Sequence, residues 1–341
     1  MGRLVIVGNR GGTNVGQSLE RAAMRLGHSV ELVEARLAME GPRWRRIVSW
    51  HVQGRKPPRL NSFSEAVEDA CRRSRASLLL TTGMAPITGP VLARIRSNGT
   101  VCANFSTDDP WNPEQRAEWF LDALGQYDAV FTPRSANIPQ FRSASKASLS
   151  LLPFGYDPDL FFPVDLVDGE KEKYAADVVF VGGADRERAA YLGALRQAGI
   201  DIALYGDGWD SYGETQQLTR GHAPPLILRN ATCGAKVALC MVRHRNRDGH
   251  VMRTYEAAAM RACMVVERTP DHEELFGQDG AAVLYFNSGT ELVEKVRWLV
   301  ARPDERSRLA AAAHHLIVNG RHTYADRLEA MLQHTLQGAC A

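Results

Sequence analysis

The chain has 341 residues, of which 45% are hydrophobic and 23% charged, and its formal net charge is +2. This composition excludes a disordered chain and a small disulfide-stapled module, and the length predicts about two domains. The near-neutral charge argues against nucleic acid or an acidic membrane surface as a partner. No apolar run approaches the roughly 18 residues of a transmembrane helix. The first residues are typical of a core strand rather than a cleaved leader.

The cysteines indicate a reducing environment. None of the six forms a C-x-x-C pair, and most of them stand in apolar runs. Buried cysteines without a pairing pattern are typical of cytosolic proteins, where thiols stay reduced. We therefore expect a cytoplasmic, two-domain enzyme.

Short β-rich runs alternate with helical patterns in the first half of the chain. The run 4–7 ends at Gly8, a helical pattern follows over 18–26, and residues 29–33 form a second predicted strand. Further apolar runs stand at 78–80, 101–105, 129–131 and 149–152. Continuous apolar strands that alternate with helices indicate a parallel sheet covered on both faces.

The pattern breaks over residues 156–176, where prolines and a charged cluster predict a linker, and then resumes at 177–181. Later runs lie at 202–205, 237–240, 264–266 and 283–285, with a final helical stretch over about 304–335. The predicted fold is α/β with two doubly wound domains. Their bounds are 1–160 and 177–322, with the linker at 161–176. Because ligands of such sheets bind at the carboxyl ends of the strands, we expect a site in a cleft between the domains.

A glycine-rich turn follows the first predicted strand. Gly11 and Gly12 would let the backbone approach a phosphate, and Glu34 ends the second strand, where a dehydrogenase places its ribose-binding acid. The spacing is not G-x-G-x-x-G, so a tight βα turn with a surface glutamate is the simpler interpretation. A nicotinamide-dependent oxidoreductase with its dinucleotide near Gly11 and Glu34 is therefore a minor alternative.

Two adjacent carboxylates, Asp108 and Asp109, follow the run 101–105 in the sequence STDDPWNP. A carboxylate at the carboxyl end of a strand can accept a proton from an acceptor hydroxyl. The other interpretation, which the spacing alone favours, is that Asp108 caps the next turn and Asp109 is solvated.

The densest constellation lies in MVRHRNRDGHVMRTYEAAAM, residues 241–260. Its arginines are Arg243, Arg245, Arg247 and Arg253. We expect a helix over about 251–260, with Arg253 and Glu256 on one face near its start. A guanidinium there could hold a diphosphate, and the carboxylate could accept both hydroxyls of a ribose. An exposed Arg–Glu pair is the alternative, but the position after a central strand favours binding.

Other strand ends add flexible or capped loops. Gly182 and Gly183 follow the run 177–181, Gly208 follows 202–205, and Thr269 precedes a proline as a good helix start. The sequence contains no H-E-x-x-H spacing, no G-x-S-x-G elbow and no Walker A motif. We therefore expect no metal site, and neither a hydrolase nor a P-loop enzyme.

The stretch NRDGHVMRTYEAAAMRACMVVERTPDHEELFGQDGAAVLYF, continuing to HTYADRLEAML, resembles the CgeB-like glycosyltransferases. The stretches FSTDDPWNP, YDAVFTPRSANIPQF and LLPFGYDPDLFFP resemble the first domain of the same family. The resemblance covers most of the chain and is weakest over 1–75. It implies a GT-B fold, in which two Rossmann-like domains face each other across a cleft. It also implies a nucleotide-sugar-dependent transferase whose final segment, 323–341, returns to the first domain.

The resemblance also implies roles for single residues. Glu256 matches the second acid of the Glu-x7-Glu pair in related GT-B enzymes, which binds the nucleotide ribose, and Arg253 matches the arginine before it. The first acid position holds Asp248 instead of glutamate. Arg261 stands where the family has a glycine, and we expect the helix end to differ there because a left-handed turn strains an arginine.

These observations predict a metal-independent hexosyltransferase without a cofactor. The donor would be a UDP-, GDP- or dTDP-sugar, with fixed cations stabilising the diphosphate as it leaves. If the enzyme inverts the configuration of the sugar, Asp109 is the candidate base, with Asp108 beside it. If the enzyme retains the configuration, no protein base is required and Asp109 would only orient the acceptor. The predicted donor-binding residues are Glu256, Arg253, Arg243, Arg245, Asp248, His250, Gly182, Gly183, Gly208, Thr269 and Gly12. A non-catalytic nucleotide-sugar-binding protein is the second alternative, which the departures at Asp248 and Arg261 would fit.

Overall fold

The computed structural model describes residues 2–42 and 54–338. The chain divides into two compact units. The first comprises Met1–Pro153, His244–Asp248 and Tyr324–Ala341, and the second comprises Phe154–Arg243 and Gly249–Thr323. Each unit contains a wholly parallel sheet flanked by helices, so the predicted α/β fold class is confirmed.

Among the described residues, the first unit forms a six-stranded sheet in the order β2-β1-β3-β4-β5-β6. Its strands are β1 (Arg3–Gly8), β2 (Ser29–Glu34), β3 (Leu78–Thr82), β4 (Val101–Phe105), β5 (Ala129–Thr132) and β6 (Ser148–Leu151). The helices described before the second unit are α1 (Val15–Arg25), α2 (Leu60–Ser74), α3 (Gly89–Ser97), α4 (Glu118–Leu121) and α5 (Ile138–Ala144). The strand order reverses between β1 and β3, which is where doubly wound sheets bind ligands.

Strand β1 shows why this sheet could be read from the sequence. The side chains of Leu4–Val7 are buried on both faces of the sheet, so the strand is a continuous apolar run. The turn that follows needs glycine, because a Cβ atom on Gly8 would lie 2.8 Å from the Cα atom of Gly16 in α1. The two glycines therefore let β1 and α1 pack closely.

Within the described residues, the second unit forms a five-stranded sheet in the order β11-β10-β9-β7-β8. Its strands are β7 (Ala176–Val181), β8 (Ile202–Tyr205), β9 (Ala235–Cys240), β10 (Met264–Glu267) and β11 (Leu284–Phe286). Its helices are α6 (Glu170–Tyr174), α7 (Arg186–Gln197), α8 (Pro225–Gly234), α9 (Met252–Ala259), α10 (Pro270–Phe276), α11 (Gly289–Val300) and α12 (Pro303–Asn319). The strand order reverses between β7 and β9.

The last helix, α13 (Tyr324–Gly338), belongs to the first unit, where it packs against α1. The helical stretch predicted over 304–335 is thus two helices, α12 and α13. No helix in the described part of the chain is both long and apolar enough to cross a membrane.

The unit boundary lies between Pro153 and Phe154. The predicted linker 161–176 belongs wholly to the second unit and includes α6. The stretch is polar in composition, but it also contains the aromatic residues Phe161 and Tyr174. Both side chains are buried in the second unit.

The end of α9 differs from the expectation at Arg261. The residue adopts the left-handed conformation, with φ +58°, so the expected change of the helix end was wrong. The amide of Ala262 donates to the carbonyl of Ala257 at 3.0 Å. This six-residue closure is the usual partner of a left-handed helix end, and it holds an arginine where glycine is commoner.

Candidate functional site

The reversal of strand order between β7 and β9 brings three predicted site residues together. Gly182 and Gly183 follow β7, and Arg243 follows β9. A Cβ atom on Gly183 would lie 3.1 Å from the Nη2 atom of Arg243, so the guanidinium lies directly over this glycine. The carbonyl of Gly182 accepts a hydrogen bond from Trp209 Nε1 at 3.0 Å, and this bond holds the loop after β7 in place.

The loop after β8 approaches the same glycines. Gly206 has φ +125°, and a Cβ atom there would overlap the carbonyl oxygen of Gly182. Gly208, with φ +86°, is exposed and lies beside Ala184. Only glycine permits this backbone-to-backbone approach, so the loops after β7 and β8 form one glycine-lined edge.

Arg243 is half-buried, and among the described residues none hydrogen-bonds to its side chain or pairs with it. An arginine held over a glycine-lined turn without a protein partner is poised for an anion. Charge, position and the absence of a described partner therefore favour Arg243 over the other arginines after β9 as a ligand-binding group.

Arg188 is a site residue that the sequence reasoning missed. Its side chain is buried, and its guanidinium donates to the carbonyls of Gly183 at 3.2 Å and Met241 at 2.9 Å. It thus ties the loop after β7 to the loop after β9. An arginine three residues after the N-cap Asp185 looks in the sequence like any exposed helical arginine, so no pattern could have found it.

Arg253 and Glu256 form an ion pair on α9, in which Arg253 is half-buried and Glu256 is only 1% exposed. The interpretation as an exposed surface pair was therefore wrong. Burial raises the pKa of the Glu256 carboxyl, the Arg253 charge lowers it, and the nearby Asp157 raises it again, so the pKa is raised overall. The Nε atom of Arg253 is buried and has no hydrogen-bond partner in the described structure.

Thr269 and His250 were predicted to bind the donor, but protein groups occupy their hydrogen-bonding atoms. The hydroxyl of Thr269 donates to the carbonyl of Gly249 at 2.5 Å and accepts from the amide of His272 at 3.1 Å. His250 contacts Asp271 through Nδ1 at 2.9 Å and the amide of Phe154 through Nε2 at 3.3 Å. Neither side chain offers an unused donor to a ligand.

Arg245 and Asp248 were also predicted to bind the donor, yet they belong to the first unit. The segment His244–Asp248 follows β9 in the sequence. Ion pairs hold this segment in the first unit. Arg245 pairs with Glu114, and the buried carboxylate of Asp248 accepts from Arg134 Nε at 2.5 Å. Protein groups of the first unit therefore already engage both side chains.

Asp109 is 1% exposed, so the interpretation that it is solvated was wrong. The Nε and Nη2 atoms of Arg247 donate to its two oxygens at 2.7 and 2.8 Å, and Asn137 and the amide of Trp111 also donate to it. Burial by itself raises the pKa of the Asp109 carboxyl, but the hydrogen bonds together lower it by more. The pKa therefore lies below its usual value. A carboxylate so occupied is a poor base, which counts against the predicted catalytic role.

Asp108 is half-buried beside Gly83. A Cβ atom on Gly83, which has φ +59°, would lie 2.7 Å from the Oδ2 atom of Asp108. The hydroxyl of Thr107 lies 3.5 Å from the same oxygen. Gly83 follows β3, so the carboxylate of Asp108 lies at the carboxyl edge of the first sheet.

Asp109→Asn should lower the free energy of unfolding by about 1.5–3 kcal/mol at pH 7, the value of hydrogen bonds to a charged group. Because the folded pKa lies below the usual 3.8, this stabilisation is complete above that value and is lost as the pH falls through the folded pKa. Urea unfolding at pH 7 and pH 3 should therefore show a smaller difference between variant and wild type at pH 3. Glu114→Gln, which alters an exposed ion pair, is the control. An equal difference at both pH values would contradict the assigned role.

Gly12 lies in the first unit, in the exposed turn after β1, and has φ +56°. The neighbouring Gly11 donates through its amide to Gln17 at 2.7 Å. Glu34 pairs with Arg36 at 2.7 Å and accepts from the amide of Arg10. These contacts fit the tight-turn interpretation of this region. Within residues 2–42 and 54–338, no cluster of three or more His, Cys, Asp or Glu residues could hold a metal ion.

Residues 186–333 match a family model described as glycosyl transferase-like. This region is similar to the glycosyl transferase-like family. The predicted enzyme class, a glycosyltransferase, is thereby confirmed, while the finer resemblance to the CgeB-like family stays a prediction. Comparison of the sequence with curated proteins finds no match.

Solved GT-B glycosyltransferases share the fold of the whole chain. Sucrose-phosphate synthase (tll1590) from Thermosynechococcus elongatus is similar over 100% of both chains, with a TM-score of 0.71 and 14% identity. Anabaena Alr3699/HepE in complex with UDP and glucose has a TM-score of 0.65 at 12% identity, over 98% of this chain and 99% of that one. An E. coli structure described as trehalose-6-phosphate bound with UDP-2-fluoro glucose has a TM-score of 0.64 at 14% identity, again over 98% and 99%. The predicted GT-B fold is confirmed.

Proposed function

We propose that this glycosyltransferase takes its sugar from a nucleoside-diphosphate sugar bound at the carboxyl edge of the second sheet. The observation that carries the proposal is Arg243, a half-buried cation without a described partner, lying over Gly183 where the strand order reverses. Two of the similar structures are described with UDP or a UDP-sugar derivative, which supports the same donor class here.

In this proposal Arg243 holds the diphosphate together with the amide of Gly183, for which no described residue is an acceptor. Glu256 binds the ribose, and Arg253 pairs with that carboxylate and counteracts the rise in its pKa caused by burial. As the bond to the sugar breaks, negative charge grows on the diphosphate, and the fixed guanidinium of Arg243 stabilises it. These cations would allow transfer without a metal ion.

The acceptor would bind at the carboxyl edge of the first sheet. Asp108, whose carboxylate lies beside Gly83 at that edge, is the candidate carboxylate there. We also place the enzyme in the cytoplasm, which the free cysteines support. Cys71, Cys102, Cys233, Cys240 and Cys263 are free, and burial raises the pKa of each of these thiols.

A thermal-shift screen tests the donor site directly. The ligands are UDP, GDP, dTDP, CDP, NAD and NADP, with and without EDTA, on wild type and Arg243→Met. A nucleoside diphosphate at a hundred times its Kd should stabilise the wild type by about 2.7 kcal/mol. The proposal expects this shift in EDTA and its loss in Arg243→Met.

The two alternatives give other results in the same screen. A shift with NAD or NADP alone would support an oxidoreductase. Binding of a nucleoside diphosphate without release of it from any UDP-, GDP- or dTDP-sugar would support the non-catalytic binding protein. The engagement of Asp248 by Arg134 would then explain why the first acid of the family pair does not act.

A further inference from the structure

Three side chains at the start of α10 contact the chain at the start of α9: the N-cap Thr269, and Asp271 and His272 in the first turn of the helix. Thr269 donates to the carbonyl of Gly249 at 2.5 Å, and Asp271 lies 2.9 Å from His250 Nδ1. His272 Nε2 lies 3.1 Å from the hydroxyl of Thr254. We call this set of contacts the α9 clamp.

The clamp is buried and tightly fitted. Thr254 and His272 are fully buried, and His250 is nearly so. A Cβ atom on Gly249 would overlap the carboxylate of Asp271, so only glycine lets the chain pass this close. The clamp therefore holds the backbone as well as the side chains at the start of α9.

The hydrogen-bond partners fix one tautomer for each histidine. His272 Nδ1 lies 2.8 Å from the carbonyl of Glu267, which can only accept, so Nδ1 carries the proton and Nε2 accepts from Thr254. Burial lowers the pKa of His272 to about 4, which keeps the ring neutral. His250 Nε2 accepts from the amide of Phe154, so its Nδ1 donates to Asp271. Each contact thus has a fixed direction.

Helix α9 needs such support. It has eight residues, and its N-cap Val251 makes no side-chain capping hydrogen bond. An isolated helix of this length is marginal in water. Arg253 and Glu256 lie on this helix, so whatever holds its first turn also sets where their side chains lie.

We propose that Thr254, Asp271 and His272 are positioning residues for donor binding, which act by holding Arg253 and Glu256 through the α9 clamp. This inference rests on the proposed function, because it assigns the held pair to the nucleotide. None of the three residues needs to touch the donor.

Thr254→Val tests the clamp with little change of shape, because it removes the hydroxyl that donates to His272. Thr254→Ser restores the hydroxyl and is the conservative variant. Ser288→Ala is the matched control, since it removes the N-cap of α11 in the same unit and should cost comparable stability. The full chain is used throughout, with UDP, GDP, dTDP and CDP as probes.

Two measurements are made on each variant. Hydrogen exchange should become faster in residues 249–259 of Thr254→Val, stay near wild type in Thr254→Ser, and change only around 289–300 in Ser288→Ala. The Kd of the nucleoside diphosphate that binds the wild type most tightly should rise roughly tenfold in Thr254→Val, the size of a 1.4 kcal/mol change. Thr254→Ser and Ser288→Ala should bind it as the wild type does.

The other possible outcomes distinguish a failure of the α9 clamp or of its positioning role from a failure of the proposed function. Unchanged exchange over 249–259 in Thr254→Val would overturn the clamp, whatever the nucleotide does. Faster exchange with an unchanged Kd, or an equal loss of affinity in Ser288→Ala, would overturn the positioning role alone. If the wild type bound none of the four diphosphates, the proposed function would fail and the positioning role with it. The exchange data would still show whether the clamp holds α9.

Discussion

Arg243→Met is expected to lower kcat by about 10²–10³-fold, the usual effect of removing one fixed donor from a developing negative charge. The free energy of unfolding should hardly change, because the guanidinium of Arg243 has no described protein partner to leave unpaired. Methionine keeps much of the length of the side chain. The measurement is release of the nucleoside diphosphate from the nucleotide sugar, with unfolding in urea beside it.

Arg245→Met is the matched control for this prediction. Arg245 stands two residues further along, carries the same charge, and pairs with the exposed Glu114 in the first unit. We expect its removal to change kcat by less than the removal of Arg243 and to cost little stability. If Arg245→Met lost the activity while Arg243→Met kept it, the assignment of the diphosphate site would be wrong.

Arg253→Met is expected to destabilise the fold by about 3–5 kcal/mol, because it leaves the carboxylate of Glu256 buried without its counter-charge. Removing both charges in Arg253→Met/Glu256→Leu should restore most of that loss. The measurement is urea unfolding at pH 7. Arg72→Met, which breaks an exposed pair with Asp69 at the same i,i+3 spacing, should cost less than about 1 kcal/mol.

The pH dependence gives this prediction a second test. The pKa of Glu256 is already raised in the folded chain, and loss of Arg253 should raise it further. The folded state then takes up a proton more readily than the unfolded state, so Arg253→Met should gain stability relative to wild type as the pH falls from 7 towards 5. A double variant as unstable as the single one, or a deficit that grows at low pH, would contradict this account.

The sheets could be predicted because burial on both faces leaves a continuous apolar run in the sequence. For this reason the predicted run 4–7 falls within β1, and the predicted run 177–181 falls within β7. Glu256 and Arg253 could be placed on one helix face because their spacing is local. The glycines after β7 could be found because glycine marks positions where backbones approach closely.

Contacts between distant residues could not be predicted in this way. Asp109 and Arg247 are 138 positions apart, and nothing local in the sequence pairs them. The buried state of Arg188 depends on the carbonyls of two separate loops, which no periodicity records. The left-handed Arg261 is decided by the hydrogen bonds that close α9, although glycine would fit the conformation with less strain.

The placement of His244–Asp248 in the first unit limits how this enzyme can be recombined with its relatives. A chimaera joined at residue 153 would carry Arg245, Arg247 and Asp248 with the second half, while their partners Glu114, Asp109 and Arg134 came from a different parent. An exchange of the second unit that respects the fold must transplant residues 154–243 and 249–323 and leave the five residues between them with the recipient. Modularity in this protein therefore follows the ion pairs of the folded chain and not the linear order of its sequence.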